Sequence, residues 1–310
     1  MKLGSDFNTL AISGSGKVTA PLVFVGYGIT AMDHKYDEYH GIDVKDKVVL
    51  ILRKEPQQNN PHSVFDGTKA SRYALFGEKV SNAYAHGAAA VILINDHYGM
   101  KRTEKGQEKA WQAAVDQLTK VRKEFVAKAD PKPGEVEKYR AEVNRLAGQI
   151  QRIGNRLESD FDDVLTFRGA GTDSKRKNLP IYFAKRSAFD PMIKAAFDGM
   201  DLAALEAAID KDLKPVSRAL TDWNVVCEAN VVHKRAEVKN VVGVLEGEGP
   251  LANETVILGA HYDHLGYGGR SNRIAPQTIA IHNGADDNAS GTAVLLEIAR
   301  SMARQPEKPK

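Results

Sequence analysis

Apolar positions along this chain follow two rhythms. The first is a set of short unbroken runs. Leu22-Val-Phe-Val-Gly-Tyr-Gly-Ile29, Lys47-Val-Val-Leu-Ile-Leu-Arg53, Ala88-Ala-Ala-Val-Ile-Leu-Ile-Asn95 and Leu179-Pro-Ile-Tyr-Phe183 read as buried strands bounded by glycines or polar residues. Between the second and third runs, Tyr73, Phe76, Val80, Ala83 and Tyr84 recur near helical spacing. They predict a helix over 71–87, with Gly87 placed to end it. Strand, helix, glycine, strand is a βαβ-like unit. Residues 1–20 are polar and Gly/Ser-rich and predict a loop or a weak first strand.

The second rhythm fills residues 103–159. Val136, Tyr139, Val143, Leu146, Ile150, Ile153 and Leu157 alternate spacings of three and four, the mark of a heptad stripe. Trp111, Val115, Leu118 and Phe125 form a looser stripe upstream, and Asp130-Pro-Lys-Pro-Gly134 breaks the chain between them. The pattern predicts an antiparallel helical hairpin whose two helices pack on each other. Self-association or a partner contact through the stripe is the competing use. A membrane-surface helix fits poorly, because the stripe is narrow and both charge signs flank it.

Further on, residues 168–178 predict a Gly- and Lys-rich loop, 187–199 a helix, and 201–210 a short helix with Asp201 as an acidic N-cap. Residues 223–232, 240–245 and 255–260 predict strands, with a Gly/Pro turn over 247–250. The stretch Thr292-Ala-Val-Leu-Leu-Glu-Ile-Ala-Arg300 is apolar around most of its circumference and predicts a helix buried against a sheet. A domain boundary is expected near residue 220. The fold class is α/β: a first domain over 1–220 carrying the hairpin insertion, then the opening of a second α/β domain over 221–310.

Composition narrows the partners. At 310 residues, 42% hydrophobic and 27% charged, the chain has the balance of a globular protein. A net charge of +3, without aromatics interleaved among the basic residues, gives no nucleic-acid footprint. No stretch approaches the ~20 apolar residues of a membrane span. The first residues lack a signal peptide's apolar region, which leaves the compartment open. Cys227 is the single cysteine, so no internal disulfide exists, and its apolar setting reads as a small buried hydrophobe.

The candidate chemistry lies late in the chain. His261 directly follows an apolar run, where ligands gather at the edge of open α/β sheets. Neutral imidazole is a good zinc ligand, and its second nitrogen needs an orienting acceptor. Asp263, two residues on, is placed to supply one. Asp286 and Asp287 then sit between Gly284 and Gly291. Asp287, Asn288 and Ser290 are all possible N-caps for the following helix. Capping alone explains two adjacent acids poorly, because burying either charge costs several kcal/mol without a cation or full hydrogen bonding.

The runs Val256-Ile-Leu-Gly-Ala-His261-Tyr-Asp263-His264-Leu-Gly266 and Gly284-Ala-Asp286-Asp287-Asn288-Ala-Ser-Gly291 resemble the zinc aminopeptidase family that includes bacterial leucyl aminopeptidases and glutamate carboxypeptidase II. Phe24-Val-Gly-Tyr-Gly-Ile29, Tyr36-Asp-Glu-Tyr39, Gly41-Ile-Asp-Val-Lys-Asp-Lys-Val-Val-Leu50, Lys79 and Gly87-Ala-Ala-Ala-Val-Ile-Leu93 resemble the protease-associated domain, which is inserted into peptidases of that family and shapes substrate access. The resemblance covers roughly 20–100 and 179–300 and leaves the hairpin outside.

It implies a three-layer α/β zinc-peptidase domain that holds two zinc ions and hydrolyses N-terminal residues of peptides. His261 then matches the histidine on one zinc, Asp263 the aspartate that orients a ligand, and Asp286 the carboxylate bridging both ions, with a cis bond expected at 286–287. Asp287 and Asn288 match the motif and receive no ligand role. His264 and His282 are not required by the pattern.

The family's general base and next ligand form a Glu-Glu pair, and this sequence contains none. After Asn288 its only acids are Glu297 and Glu307, with no histidine. The expectation is therefore a truncated peptidase, inactive by itself. A non-catalytic binding protein on the same scaffold, like the transferrin receptor ectodomain, and an interaction protein acting through the hairpin are the alternatives.

Overall fold

The computed structural model describes residues 1–170, 179–232, 237–269 and 278–306. The loop expected over 168–178 lies mostly outside them. Two compact units divide the chain, 1–233 and 234–310.

The first unit is built on a six-stranded sheet. Its strands are β1 (Phe7–Thr9), β2 (Gly16–Phe24), β5 (Val48–Leu52), β6 (Ala90–Ile94), β7 (Ile181–Ala184) and β8 (Arg218–Ala229). A separate two-stranded ribbon pairs β3 (Thr30–Ala31) with β4 (Tyr36–Asp37). Sheet order is β1-β7-β6-β5-β2-β8. Strands β2, β5, β6 and β7 run parallel, while β1 and β8 are antiparallel edges. Every residue of β5, β6 and β7 is buried. That follows from parallel strands covered on both faces, which read as continuous apolar runs.

One face packs Leu22, Phe24, Leu50 and Ile92 against Ile193, Leu202 and Leu205 of α4 (Asp190–Ala196) and α5 (Leu202–Asp212). The other packs Val23, Val49, Val91 and Phe183 against Val80 and Ala83 of α1 (Phe76–Ala85). The βαβ unit is thus β5-α1-β6, and Gly87 ends its helix with a φ of 81°. Asp201 caps α5 by accepting from the Ala204 amide at 2.9 Å. The turn after β2 needs Gly26, because a Cβ there would overlap the Glu38 carboxylate. Glu38 accepts from the Tyr27 and Ile29 amides, 2.9 Å each, and from the Tyr36 hydroxyl at 2.7 Å.

The hairpin is α2 (His97–Val126) and α3 (Pro133–Leu157). Asp96 caps α2 by accepting from the Gly99 amide at 2.7 Å. Ala114 and Leu146 are buried between the helices, and Phe125 stacks on Tyr139 with ring centroids 4.0 Å apart. The other stripe residues, Val136, Tyr139, Val143, Ile150, Ile153 and Leu157, are half-buried.

Three expectations change. The boundary near 220 would cut β8, which pairs antiparallel with β2 from Gly16↔Ala229 to Phe24↔Arg218. That ladder holds 218–229 in the first unit, and the compact units separate at 233/234. The strands expected at 240–245 and 255–260 form no ladder among the described residues, and Val241, Val242, Val244 and Ile257 are exposed. Apolar alternation makes a strand only where a partner takes its amides and carbonyls. Finally, α6 (Gly291–Ala303) is a helix as expected but carries no buried residue.

Candidate metal centre

The second unit gathers its polar side chains between residue 261 and the start of α6. His261 Nε2 lies 3.0 Å from Asp287 Oδ1. Its Nδ1 lies 2.9 Å from the Asp263 backbone carbonyl and 3.4 Å from Asp263 Oδ1. With that carbonyl as acceptor, Nδ1 carries a proton, and the 3.0 Å contact with Asp287 Oδ1 is a charge-assisted hydrogen bond when Nε2 is protonated as well. The Asp263 carbonyl raises the His261 pKa above its ordinary value, and the carboxylates of Asp287 and Asp263 add to the effect.

The backbone of His261 is held as well. Asn288 Nδ2 and Thr292 Oγ1 both donate to its carbonyl at 3.1 Å. The single Thr292 hydroxyl proton is shared with the Asn288 carbonyl, 3.0 Å away, and Asn288 Oδ1 accepts from the Gly291 amide at 3.2 Å. The loop 285–290 leaves helical geometry at Asp287 (φ −115°, ψ 86°) and Asn288 (φ −141°, ψ 41°). This kink turns the Asp287 carboxylate toward His261. Gly284, at φ 64°, admits the close approach, since a Cβ there would lie 2.7 Å from the Asp287 carbonyl and 2.8 Å from the His264 ring.

Asp286 points elsewhere. Its carbonyl accepts from Ser290 Oγ at 2.8 Å, and its Oδ1 lies 3.3 Å from the same hydroxyl. Of the two adjacent acids, the structure brings Asp287 against His261 and leaves Asp286 on the following turn. The cis peptide is Asp287–Asn288, one position beyond the bond expected. His264 Nδ1 lies 3.9 Å from Asp287 Oδ2, and the His264 and His282 rings are 6.5 Å apart. Sequence reasoning read Asp287 and Asn288 only as possible N-caps and did not single out Thr292, because nothing in a Gly-Ala-Asp-Asp-Asn run tells which acid a kink turns inward.

Residues 240–310 match the family model of peptidase family M28, and residues 18–121 match that of the PA domain. No curated protein matches it. The PA match spans β2 through β6 and ends inside α2, so the rest of the hairpin, β7 and β8 lie beyond it. The M28 match covers the whole of the His261–Asp287 cluster.

The cluster's donors can be compared with zinc chemistry. Imidazole nitrogen and carboxylate oxygen are the ligand types zinc takes, and a catalytic zinc takes three from protein. Among the described residues no group of three or more His, Cys, Asp or Glu is placed to hold a metal. The donor types fit, and the number present is part of a site.

Proposed function

We propose that the M28 segment belongs to a zinc-dependent aminopeptidase acting on peptides with a free N-terminus, and that His261 and Asp287 are its first metal-holding residues. The observation that carries this is the 3.0 Å approach of His261 Nε2 to Asp287 Oδ1, with Asp263 fixing the tautomer from behind. Asp287 would take the role that the family resemblance assigned to Asp286. Its Oδ1 faces His261 while its Oδ2 faces His264, so it is the acid able to serve two ions.

When bound, zinc polarises a scissile carbonyl and lowers the pKa of a water beside it. This chain's residues supply orientation. Asp263 keeps the Nδ1 proton on His261, Asn288 and Thr292 pin the His261 backbone, and the 287–288 kink aims the carboxylate. Ser290 holds Asp286 away from the imidazole.

Zinc titration by calorimetry tests the assignment. His261→Ala and Asp287→Ala should each weaken binding by about tenfold or more, in line with loss of a metal ligand, whereas Asp286→Ala should change it little. Loss confined to Asp286→Ala would reverse the assignment. Because the sequence holds no Glu-Glu pair for a general base, this chain alone should turn over no leucyl-anilide. Chelator-sensitive turnover by the purified chain would overturn that reading.

A further inference from the structure

Away from the metal centre, the first unit holds a cleft of about 400 Å³ at the carboxyl ends of β5 and β6. Open parallel sheets bind ligands at this edge, and the volume lies within the usual range for small-molecule sites. Its floor is Arg53, which follows β5, and Asn95 and Asp96, which follow β6.

Two buried atoms of these lining residues stand out. Asp96 is 1% exposed; its Oδ2 accepts from the Gly99 amide and from Gln58 Nε2 at 2.8 Å, but its buried Oδ1 has no partner. Arg53 donates from Nη1 to Asn95 Oδ1 at 3.2 Å, but its buried Nε has no partner either. An unsatisfied buried polar atom costs about 1–3 kcal/mol, so an orphan acceptor and an orphan donor in one cleft call for a ligand that satisfies both.

The wall adds a charge preference. Lys54, Lys69 and Arg102 line the cleft and form no ion pair among the described residues. The acids on the same wall are engaged. Glu55 accepts from the Ser71 amide at 2.9 Å and from its hydroxyl, and Asp163 pairs with Arg156. The cleft thus offers one buried carboxylate oxygen beneath an unpaired cationic rim.

We propose that this cleft binds a small zwitterion, an α-amino acid or dipeptide, with its ammonium on Asp96 Oδ1 and its carboxylate on Arg53 and the rim. A plain anion would leave Asp96 Oδ1 unsatisfied, and a plain cation would leave Arg53 Nε unsatisfied and meet the rim's repulsion. Amino acids and dipeptides are also the product class of the exopeptidase proposed above. The geometry of this cleft, however, stands without that reading.

The test titrates the full chain with leucyl-glycine by calorimetry in excess chelator, which keeps the metal centre out of the measurement. Saturable binding is expected. N-acetylation or C-amidation of the dipeptide should each weaken it by about tenfold or more, the effect of leaving one buried partner unpaired. Arg53→Gln and Asp96→Asn should weaken it similarly with unchanged circular dichroism. Since Asp96 also caps α2, Lys69→Glu combined with Arg102→Glu is the exposed-rim control for a misfolded D96N, and should also weaken binding.

Absence of saturable binding would overturn the proposal. So would equal affinity for the acetylated dipeptide, displacement by inorganic phosphate as readily as by leucyl-glycine, or full affinity in the rim variant. Failure here leaves the zinc assignment untouched, and loss of zinc binding by His261 variants leaves this cleft untouched.

Discussion

Glu206 is held in the interior of the first unit by Arg186 Nη1 and the His97 amide, each at 2.6 Å, and by the Tyr27 hydroxyl at 3.5 Å. Burial pushes its carboxyl pKa up to about 7, against the opposing pull of Arg186. Glu38 moves in the same direction for the same reason. A carboxyl whose folded pKa exceeds its unfolded value contributes stability that is complete below the unfolded pKa and lost as pH rises through the folded one. Urea unfolding should therefore show stability falling between about pH 4.5 and 7 through these groups, and Glu206→Gln should flatten the slope. An unchanged slope in Glu206→Gln would remove Glu206 from the account. Arg186 follows from the same contacts: removing one partner of a buried pair costs about 3–5 kcal/mol. Arg186→Met should reach that cost near pH 8 and fall well short of it near pH 5, where Glu206 protonates instead of standing as an unpaired charge.

At the scale of elements, the hairpin is the piece whose energetics can be isolated. Leu146 and Ala114 are its buried residues, flanked by the half-buried stripe and by the Phe125–Tyr139 stack. Leu146→Ala should destabilise the hairpin by about 2–4 kcal/mol, as a cavity between two helices does. Amide exchange should quicken across 97–157 and leave β5 and β6 protected. Uniform loss of protection would show that hairpin and sheet unfold as one. The hairpin was legible because heptad spacing depends only on the helix itself, and its breaker at 130–134 spans the end of the turn after Val126 and the first two residues of α3. The runs of β5, β6 and β7 were legible because strands covered on both faces admit no polar interruption. The stretches at 240–245 and 255–260 look alike in sequence yet form no ladder, since ladder formation depends on a partner that the run does not encode. Arg186 and Glu206 left no trace in the pattern either, being twenty residues apart and joined only by the packing of α5 behind β7.

The two units of the whole molecule differ in how they bury apolar surface. Residues 1–233 close two core layers around one sheet. Residues 234–310 leave Val238, Val241, Val242, Val256 and Ile257 at least four-fifths exposed, and α6 shows Val294 and Leu296 at more than half exposure. Backbone without a ladder and side chains without a core raise the population of open states, and proteases cut open states first. Limited proteolysis should thus trim the chain from its second unit and leave a resistant product ending near residue 233, with β8 retained because its ladder runs the length of β2. Cleavage inside 218–229 at the same rate would contradict the placement of β8 in that sheet. Zinc adds a second arm to the experiment. A ligand that binds only the folded form stabilises it by mass action, so zinc should slow cleavage between 261 and 303 in the wild-type chain. Asp287→Ala should lose that protection while keeping the resistant product at 233. Zinc protection that survives in Asp287→Ala would move the metal away from the kinked loop.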